Sequence, residues 1–284
     1  MYEIVFFLLV PFVALLYEGF FRKINARLQN RIGPPILQPF YDIMKLFEKK
    51  PLKSQNDPFY KYSPLLYFIT VYALFLFIPF SIISFQYDFV LLLYLTILAS
   101  AFYVLAGLSS DNPFGIVGSM REMILMIVYE ITLVIVIFNF ILGTGILSFA
   151  DFQSSLLFIY LPLSSIGLII VSFVEVHVTP FDTTEAKTEI MGGSTTEYSG
   201  KNLALMKLSM VMKRLFFILL LPMLLFGRDL IIMIPASLLF LFFYVLAQAT
   251  TSRYRVDQAF KIYFYVMILV LIDFILIMRG IIWV

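Results

Sequence analysis

The 284-residue chain has no cysteine, a single histidine (His177) and little charge. Without cysteine it forms no disulfide and offers no thiolate to zinc or to an iron–sulfur cluster. One histidine is too few for a multi-histidine metal site and argues against haem ligation. Charged residues make up only 13% of the chain and the formal net charge is +2, which argues against a nucleic-acid surface. We therefore expect no cofactor in this chain, no nucleic-acid partner, and any redox centre to lie in a partner protein.

Apolar residues are abundant instead, at 62% of the chain, including 32 Phe and 17 Tyr. Uninterrupted apolar runs of about 18 residues or more are typical of transmembrane helices. Such helices are expected near 2–21, 62–84, 88–108, 120–142, 156–177, 203–226, 229–249 and 259–282. The sequence contains no internal repeat or low-complexity tract. It therefore predicts an all-α integral membrane protein with about eight transmembrane helices in one membrane domain over residues 1–284.

The basic residues predict how these helices are oriented. Lys and Arg concentrate in or beside the segments 22–61, 109–119, 178–202 and 250–258, whereas the other side holds only Arg228 and Arg279. Short loops rich in Lys and Arg stay on the inner side of the membrane. The first apolar run precedes its basic residues and lacks a cleavage site, which is typical of an uncleaved span. We expect a multi-pass protein of the cell membrane with both termini outside.

Two of these inner loops, 22–61 and 178–202, are longer than a connection requires, and long loops often carry function. In the first, apolar residues recur at helical spacing from Leu37 to Phe47, which predicts an amphipathic helix on the membrane surface. In the second, Asp182 and Glu185 have the spacing of an N-cap and capping box, which predicts a short surface helix.

Ionisable residues within the predicted spans are the main candidates for chemistry, because a charge at membrane depth is costly. They are Glu130, Glu175, Lys207, Lys213, Arg214 and Asp273, with Glu18 and Glu122 near the inner side. Lys207 and Arg214 are seven residues apart and share a helix face.

One hypothesis for these ionisable residues is a polar track that carries protons through them. The other is a set of fixed ion pairs that hold helices together. For Glu130 and Glu175 the pattern favours the track; Asp273 fits either the track or a subunit contact.

Three blocks of sequence resemble a known family. The first inner loop reads Ala26-Arg27-Leu28-Gln29-Asn30-Arg31-Ile32-Gly33-Pro34, then Leu37-Gln38-Pro39 and Asp42-x-x-Lys45-Leu46. The second has Glu175, Pro180-Phe181-Asp182, Glu185, Glu189, Gly193 and Glu197-Tyr198-x-Gly200, and a third block runs from Arg121 to Tyr129-Glu130. In order and spacing they resemble the H-type membrane subunit of respiratory complex I and of energy-converting membrane-bound hydrogenases.

The resemblance implies a connecting subunit whose inner loops face soluble iron–sulfur and hydrogenase-like catalytic subunits, the latter with nickel and iron in some members. Antiporter-like membrane subunits are further expected partners, along with the lipid bilayer. The resemblance implies that a cavity and the start of the ion path are lined by Glu18, Asp42, Glu130, Glu175, Asp182, Glu185, Glu189 and Glu197. It also implies that Arg27 and Arg31 anchor the first loop against carboxylates or the neighbouring subunit by bidentate pairing. Lys45 belongs to the same coupling loop.

Some positions depart from the quinone-reducing branch of that family. Val178 stands where that branch usually has Arg, Lys187 stands where it has an acid, and Gln29 precedes Asn30 where it has Gly-Pro. These features look more like the hydrogenase, formate hydrogenlyase and sulfane-sulfur reductase branch. The sequence therefore predicts a non-catalytic membrane subunit of an ion-translocating oxidoreductase. The alternatives are a quinone-cavity subunit, a stand-alone secondary transporter, and a structural anchor with fixed ion pairs.

Overall fold

A computed structural model describes residues 2–50, 57–149, 157–184 and 187–280. These residues form helices α1 (Tyr2–Leu28), α2 (Gln38–Glu48), α3 (Pro58–Leu74), α4 (Asp88–Leu108), α5 (Pro113–Thr144), α6 (Leu157–Tyr160), α7 (Pro162–Glu175), α8 (Lys187–Ile190), α9 (Gly200–Phe226), α10 (Leu230–Thr250) and α11 (Val256–Met278). A 3₁₀ turn spans Gly193–Thr195. The described part of the chain contains no strand, so the predicted all-α membrane fold is confirmed.

The predicted number of eight transmembrane helices is not confirmed. Within the described residues, six helices are long and apolar enough to cross a membrane, namely α1, α4, α5, α9, α10 and α11. The predicted span at 62–84 is helical only to Leu74, and turns follow from residue 75. Pro79 explains this end, because its ring clashes with the carbonyl of Phe75 in a continuing helix. The predicted span at 156–177 is divided at Leu161, since a residue before proline disfavours the helical conformation.

Helix α9 forms the centre of the bundle. In its span 83% of the residues are buried, against 28% in α11, because α9 is apolar on all sides from Leu215 to Leu225. It packs against α1, α2, α3, α7 and α10. The outer helices expose large apolar side chains such as Leu8 and Ile231, as expected for surfaces that face lipid.

The four loops predicted to share one side of the membrane meet at one end of the bundle. The ring of Tyr60 stacks on Tyr198 with centroids 4.5 Å apart. The backbone N–H of Asp111 donates to Glu197 Oε2 (3.1 Å), and that of Tyr254 donates to the carbonyl of Pro180 (3.1 Å). Segments 22–61, 109–119 and 250–258 thus all contact segment 178–202.

The predicted amphipathic helix in the first loop is present as α2. It buries Pro39 and Ile43 and exposes Tyr41 and Met44, each 60% exposed. Pro39 fits the first turn, where a missing N–H costs nothing. The helix packs on α1 and α9.

The predicted capping role of Asp182 is wrong, because residues 183 and 184 are not helical. An N-cap must be followed directly by helix. Asp182 instead accepts a hydrogen bond from Arg253 (2.7 Å). Glu185, the other half of the predicted capping box, lies outside the described residues.

Candidate functional site

Two groups of charged side chains lie on different sides of α9. Lys213 and Arg214 are consecutive, and successive residues of a helix point about 100° apart. Arg214 therefore faces α1, whereas Lys213 faces α4 and α7. We call the first group the interface cluster (Glu18, Arg22, Asp42 and Arg214) and the second the buried cluster (Ser100, Glu130, Glu175 and Lys213).

The interface cluster is a chain of alternating charges that joins α1, α2 and α9. Glu18 pairs with Arg214 through Oε2 and with Arg22 through Oε1 (3.0 Å to Nε). Arg22 Nη1 donates to Asp42 Oδ2 (2.7 Å), and Gln38 donates to the other oxygen (3.2 Å). Partial burial raises the pKa of Asp42, but the hydrogen bonds from Arg22 and Gln38 outweigh it and leave that pKa below its usual value. The cluster therefore ties the surface helix to the bundle.

Lys207 lies on the same side of α9 as Arg214, as the seven-residue spacing predicts. Its side chain is exposed, lines a cavity together with Asp42 and Lys45, and interacts electrostatically with Asp42. It is therefore placed with the interface cluster and not with Glu130 and Glu175.

The buried cluster holds two acids and one lysine. Lys213 Nζ lies 2.6 Å from Glu175 Oε2 and donates to Ser100 Oγ (3.2 Å). Both oxygens of Glu130 are buried; the carboxyl group faces Ser100 without a hydrogen bond of standard geometry and interacts electrostatically with Glu175 and Lys213. Glu175, Lys213 and Glu130 are at most 5% exposed. With one cation for two acids, the net charge of this cluster depends on whether it holds a proton or another small cation.

A third buried acid, Glu122, lies between this cluster and the loops. Tyr129 donates to Glu122 Oε1 (2.6 Å), and His177 Nδ1 lies 3.9 Å from Glu122 Oε2. The hydroxyl of Thr184 is 3.3 Å from the same imidazole nitrogen. Glu122 and His177 both interact electrostatically with Glu175. From the sequence, Glu122 was placed only beside the track, and His177 was given no part in it. The seven-residue spacing of Glu122 and Tyr129 on one helix face was the available signal.

Asp273 is separate from the buried cluster. Its Oδ2 accepts from the backbone N–H of Ser164 (2.6 Å) and from the Ser164 hydroxyl (2.9 Å), and Asn139 donates to that hydroxyl (2.9 Å). Ser164 lies in the first turn of α7, so α11 supplies a carboxylate that caps α7. No described contact links Asp273 to Glu130 or Glu175.

The predicted loop residues mostly form contacts that hold the loops in place. Arg121 donates to Glu189 (2.8 Å), and this hydrogen bond lowers the pKa of the largely exposed Glu189 carboxyl. Asp182 pairs with Arg253, and Glu197 accepts from the backbone of Asp111. Two predicted anchors, Arg27 and Arg31, are exposed and form no ion pair within the described residues.

Close packing of small residues fixes the second loop against the helices. A Cβ on Gly118 of α5 would lie 2.6 Å from Gly193 Cα, and one on Gly107 of α4 would lie 2.9 Å from Ser194 Cα. Glycine at these positions allows the 3₁₀ turn to approach both helices. Among the described residues, no group of three or more His, Asp or Glu side chains is arranged to hold a metal ion.

Comparisons with known proteins agree with this architecture. The family model described as NADH dehydrogenase matches residues 2–279. Hydrogenase-4 component C of Escherichia coli is 34% identical over 230 residues, which cover 75% of this chain and 71% of that protein. The H-type subunit of the NADH-quinone oxidoreductase of Dehalococcoides mccartyi is 30% identical over 280 residues, which cover 90% of this chain and 79% of that protein.

A solved structure shares the fold. It belongs to the membrane-bound sulfane sulfur reductase, an archaeal respiratory membrane complex, and matches with a TM-score of 0.87 and 24% identity over 97% of this chain and 98% of that chain. The resemblance carried by the loop blocks is therefore confirmed. This chain belongs to the NADH dehydrogenase family, which includes the H-type membrane subunits.

Proposed function

We propose that this chain is a non-catalytic membrane subunit of a multisubunit, ion-translocating oxidoreductase of the hydrogenase-like or sulfane sulfur reductase kind. Its loops dock a soluble redox arm, and its buried charges couple electron transfer to proton or sodium movement. The observation that carries this proposal is the buried cluster. Two acids and one lysine enclosed by membrane helices are costly to maintain, and such groups are functional by default.

The contacts of the buried cluster suit a relay. Thr184 in the loop contacts His177, which faces Glu122, and Glu122 interacts with Glu175. Glu175 pairs with Lys213. An ion pair held only for structure needs one partner per charge, whereas Lys213 here faces both Glu175 and Glu130. The loop end is the end of the bundle where the four basic loops meet. A change of charge there would therefore alter the proton or cation occupancy of the Glu130–Glu175 pair.

The loop end offers a surface for the soluble arm. A cavity of about 290 Å³ at this end is lined by three arginines and two acids, with Thr183 among its other residues: Arg121, Arg253, Arg255, Glu189 and Asp257. Arg255 forms no ion pair within the described ranges, and the Thr183 hydroxyl is buried without a hydrogen bond. Guanidinium groups bind carboxylates in a bidentate manner. Acidic side chains of a partner protein therefore suit this surface. The partner would be an iron–sulfur protein or a hydrogenase-like catalytic subunit, which in some complexes of this kind contains nickel and iron.

The distribution of Lys and Arg also indicates how the chain is oriented in the membrane. The basic loop end faces the inside of the cell membrane and both termini lie outside, because Lys and Arg concentrate in the loops that meet there. Antiporter-like membrane subunits would then contact the lateral, lipid-facing helices.

Charge-removing substitutions in the assembled complex test the coupling. Glu130→Gln and Glu175→Gln should each reduce ion uptake into sealed vesicles by tenfold or more, while electron transfer from the native donor continues. Glu3→Gln, an exposed acid in α1, is the matched control and should leave uptake unchanged. Undiminished ion uptake in both buried variants would show that the carboxyl groups are not part of the relay.

A quinone-cavity role is the second candidate, favoured by the likeness to a component of an NADH-quinone oxidoreductase. Val178 weighs against it, since this buried valine stands where a cationic residue is usual in that branch. The proteins that co-purify in mild detergent separate hydrogen chemistry from sulfur or quinone chemistry, and a complex from a stand-alone transporter. Co-purifying iron–sulfur proteins with nickel indicate hydrogen chemistry, those without nickel indicate sulfur or quinone, and a chain that runs alone indicates a transporter.

A further inference from the structure

A cavity of about 280 Å³ lies between α1, α2 and α9, beside the interface cluster. This volume is roughly that of nine liquid water molecules. Its polar lining is Arg22, Asp42, Lys45, Lys49 and Lys207, and its apolar lining is Leu15, Pro39, Ile43, Leu46 and Val211. The proposed relay uses none of the three lysines.

The polar part of the lining is cationic. Arg22 is neutralised by Glu18 and Asp42, but the three lysines have no ion pair within the described part of the chain. Four cations thus face one anion across a single cavity. An ammonium group binds phosphate as a point charge, and several around one phosphate add their attraction. The cavity therefore selects an anion.

The apolar part of the lining extends towards the membrane interior. Leu15 precedes Arg22 by seven residues on α1, a distance of about 10 Å along the helix. Val211 follows Lys207 by four residues on α9, or about 6 Å in the same direction. The cavity is accordingly charged at one end and apolar at the other.

Helix α2 places the charged end at headgroup depth. Its Tyr41 and Met44 are each 60% exposed while Ile43 is buried against the bundle. A helix with exposed apolar and basic residues lies in the interface plane of a membrane. Lys45, on that helix, and Lys49, which follows its last residue, are therefore at the level of lipid phosphates.

We propose that this cavity binds an anionic phospholipid, with Lys45, Lys49 and Lys207 contacting the phosphate and the start of an acyl chain lying against Leu15 and Val211. Free phosphate shares the anionic chemistry, but it makes no use of the apolar end. Bound lipid would link α2 to α1 and α9 alongside the ion pairs of the interface cluster.

Lipid titration of the full-length chain, purified and delipidated in uncharged detergent, tests the site. Native mass spectrometry should show phosphatidylglycerol retained at least tenfold more tightly than phosphatidylcholine, and excess inorganic phosphate should not displace it. The variant Lys45→Gln/Lys207→Gln should bind phosphatidylglycerol roughly thirtyfold more weakly, from about 1 kcal/mol for each lysine at a membrane surface.

The control is Lys61→Gln/Lys201→Gln, which removes two exposed lysines that do not line the cavity. This variant should change phosphatidylglycerol binding by less than threefold. An equal loss in both double variants would overturn the proposal, because general surface charge would then account for binding. Displacement by millimolar phosphate, or undiminished phosphatidylglycerol binding in Lys45→Gln/Lys207→Gln, would also overturn it.

Discussion

Removal of the buried ammonium group should affect stability and ion transport in different ways. Lys213 and Glu175 are 2.6 Å apart and almost fully buried. Their Coulomb attraction is about 6 kcal/mol at an effective dielectric constant of about 20. Desolvation offsets part of this attraction, and loss of one partner from a buried pair typically costs about 3–5 kcal/mol. Lys213→Met should destabilise the protein by that amount and abolish coupled ion transport.

The double variant Lys213→Met/Glu175→Gln separates the two effects. It removes both charges of the Lys213–Glu175 pair, so we expect it to regain most of the lost stability. Transport should remain absent, because the relay has lost two titratable groups. Lys201→Met, at the exposed start of α9, is the matched control for removal of a lysine from the same helix.

Two measurements on the assembled complex decide the outcome. Thermal unfolding of the purified complex reports stability, and ion uptake by reconstituted vesicles reports coupling. Wild-type transport in the restabilised double variant would refute the relay, since the pair would then act only to hold α7 on α9. Equal stability of Lys213→Met and the parent would refute the estimate of the pair's contribution.

Two further predictions concern contacts outside the buried cluster. Asp273→Ala should destabilise the complex by about 1–3 kcal/mol, because it leaves the buried N–H of Ser164 without its acceptor. Asp273→Asn should cost less. Loss of ion uptake in a fully stable Asp273→Asn complex would contradict a purely capping role. For Asp42, whose pKa is lowered in the folded protein, the stabilisation of α2 should be complete above the unfolded pKa of about 4 and decline as the pH falls through the lower folded value. Spin-label mobility at Met44→Cys, a unique thiol in this cysteine-free chain, should therefore rise only below about pH 4. Asp42→Asn should raise this mobility already at pH 7, and equal mobility of the two proteins at pH 7 would contradict the anchoring role.

Much of the candidate site was identifiable from the sequence, because a charge within an apolar run is conspicuous. Glu130, Glu175 and Lys213 were selected on that ground, and the structure brings them together. Glu122 was placed only beside the track and His177 was left out of it, since each lies near the predicted end of a span, where exposure to water would make a charge unremarkable. In the structure Glu122 is buried, and Thr184 of the second loop contacts His177.

Apolar run lengths and the distribution of Lys and Arg were sufficient to establish a membrane protein and to group the four basic loops. Both properties are local, since each depends on the preference of a short segment for lipid or water. Only the tertiary structure decided which charges are partners. Arg214 meets Glu18 across 196 residues, and Lys213 meets Ser100 across 113. Helical spacing defines the face on which a side chain lies, but the packing of the whole bundle determines which residue stands opposite.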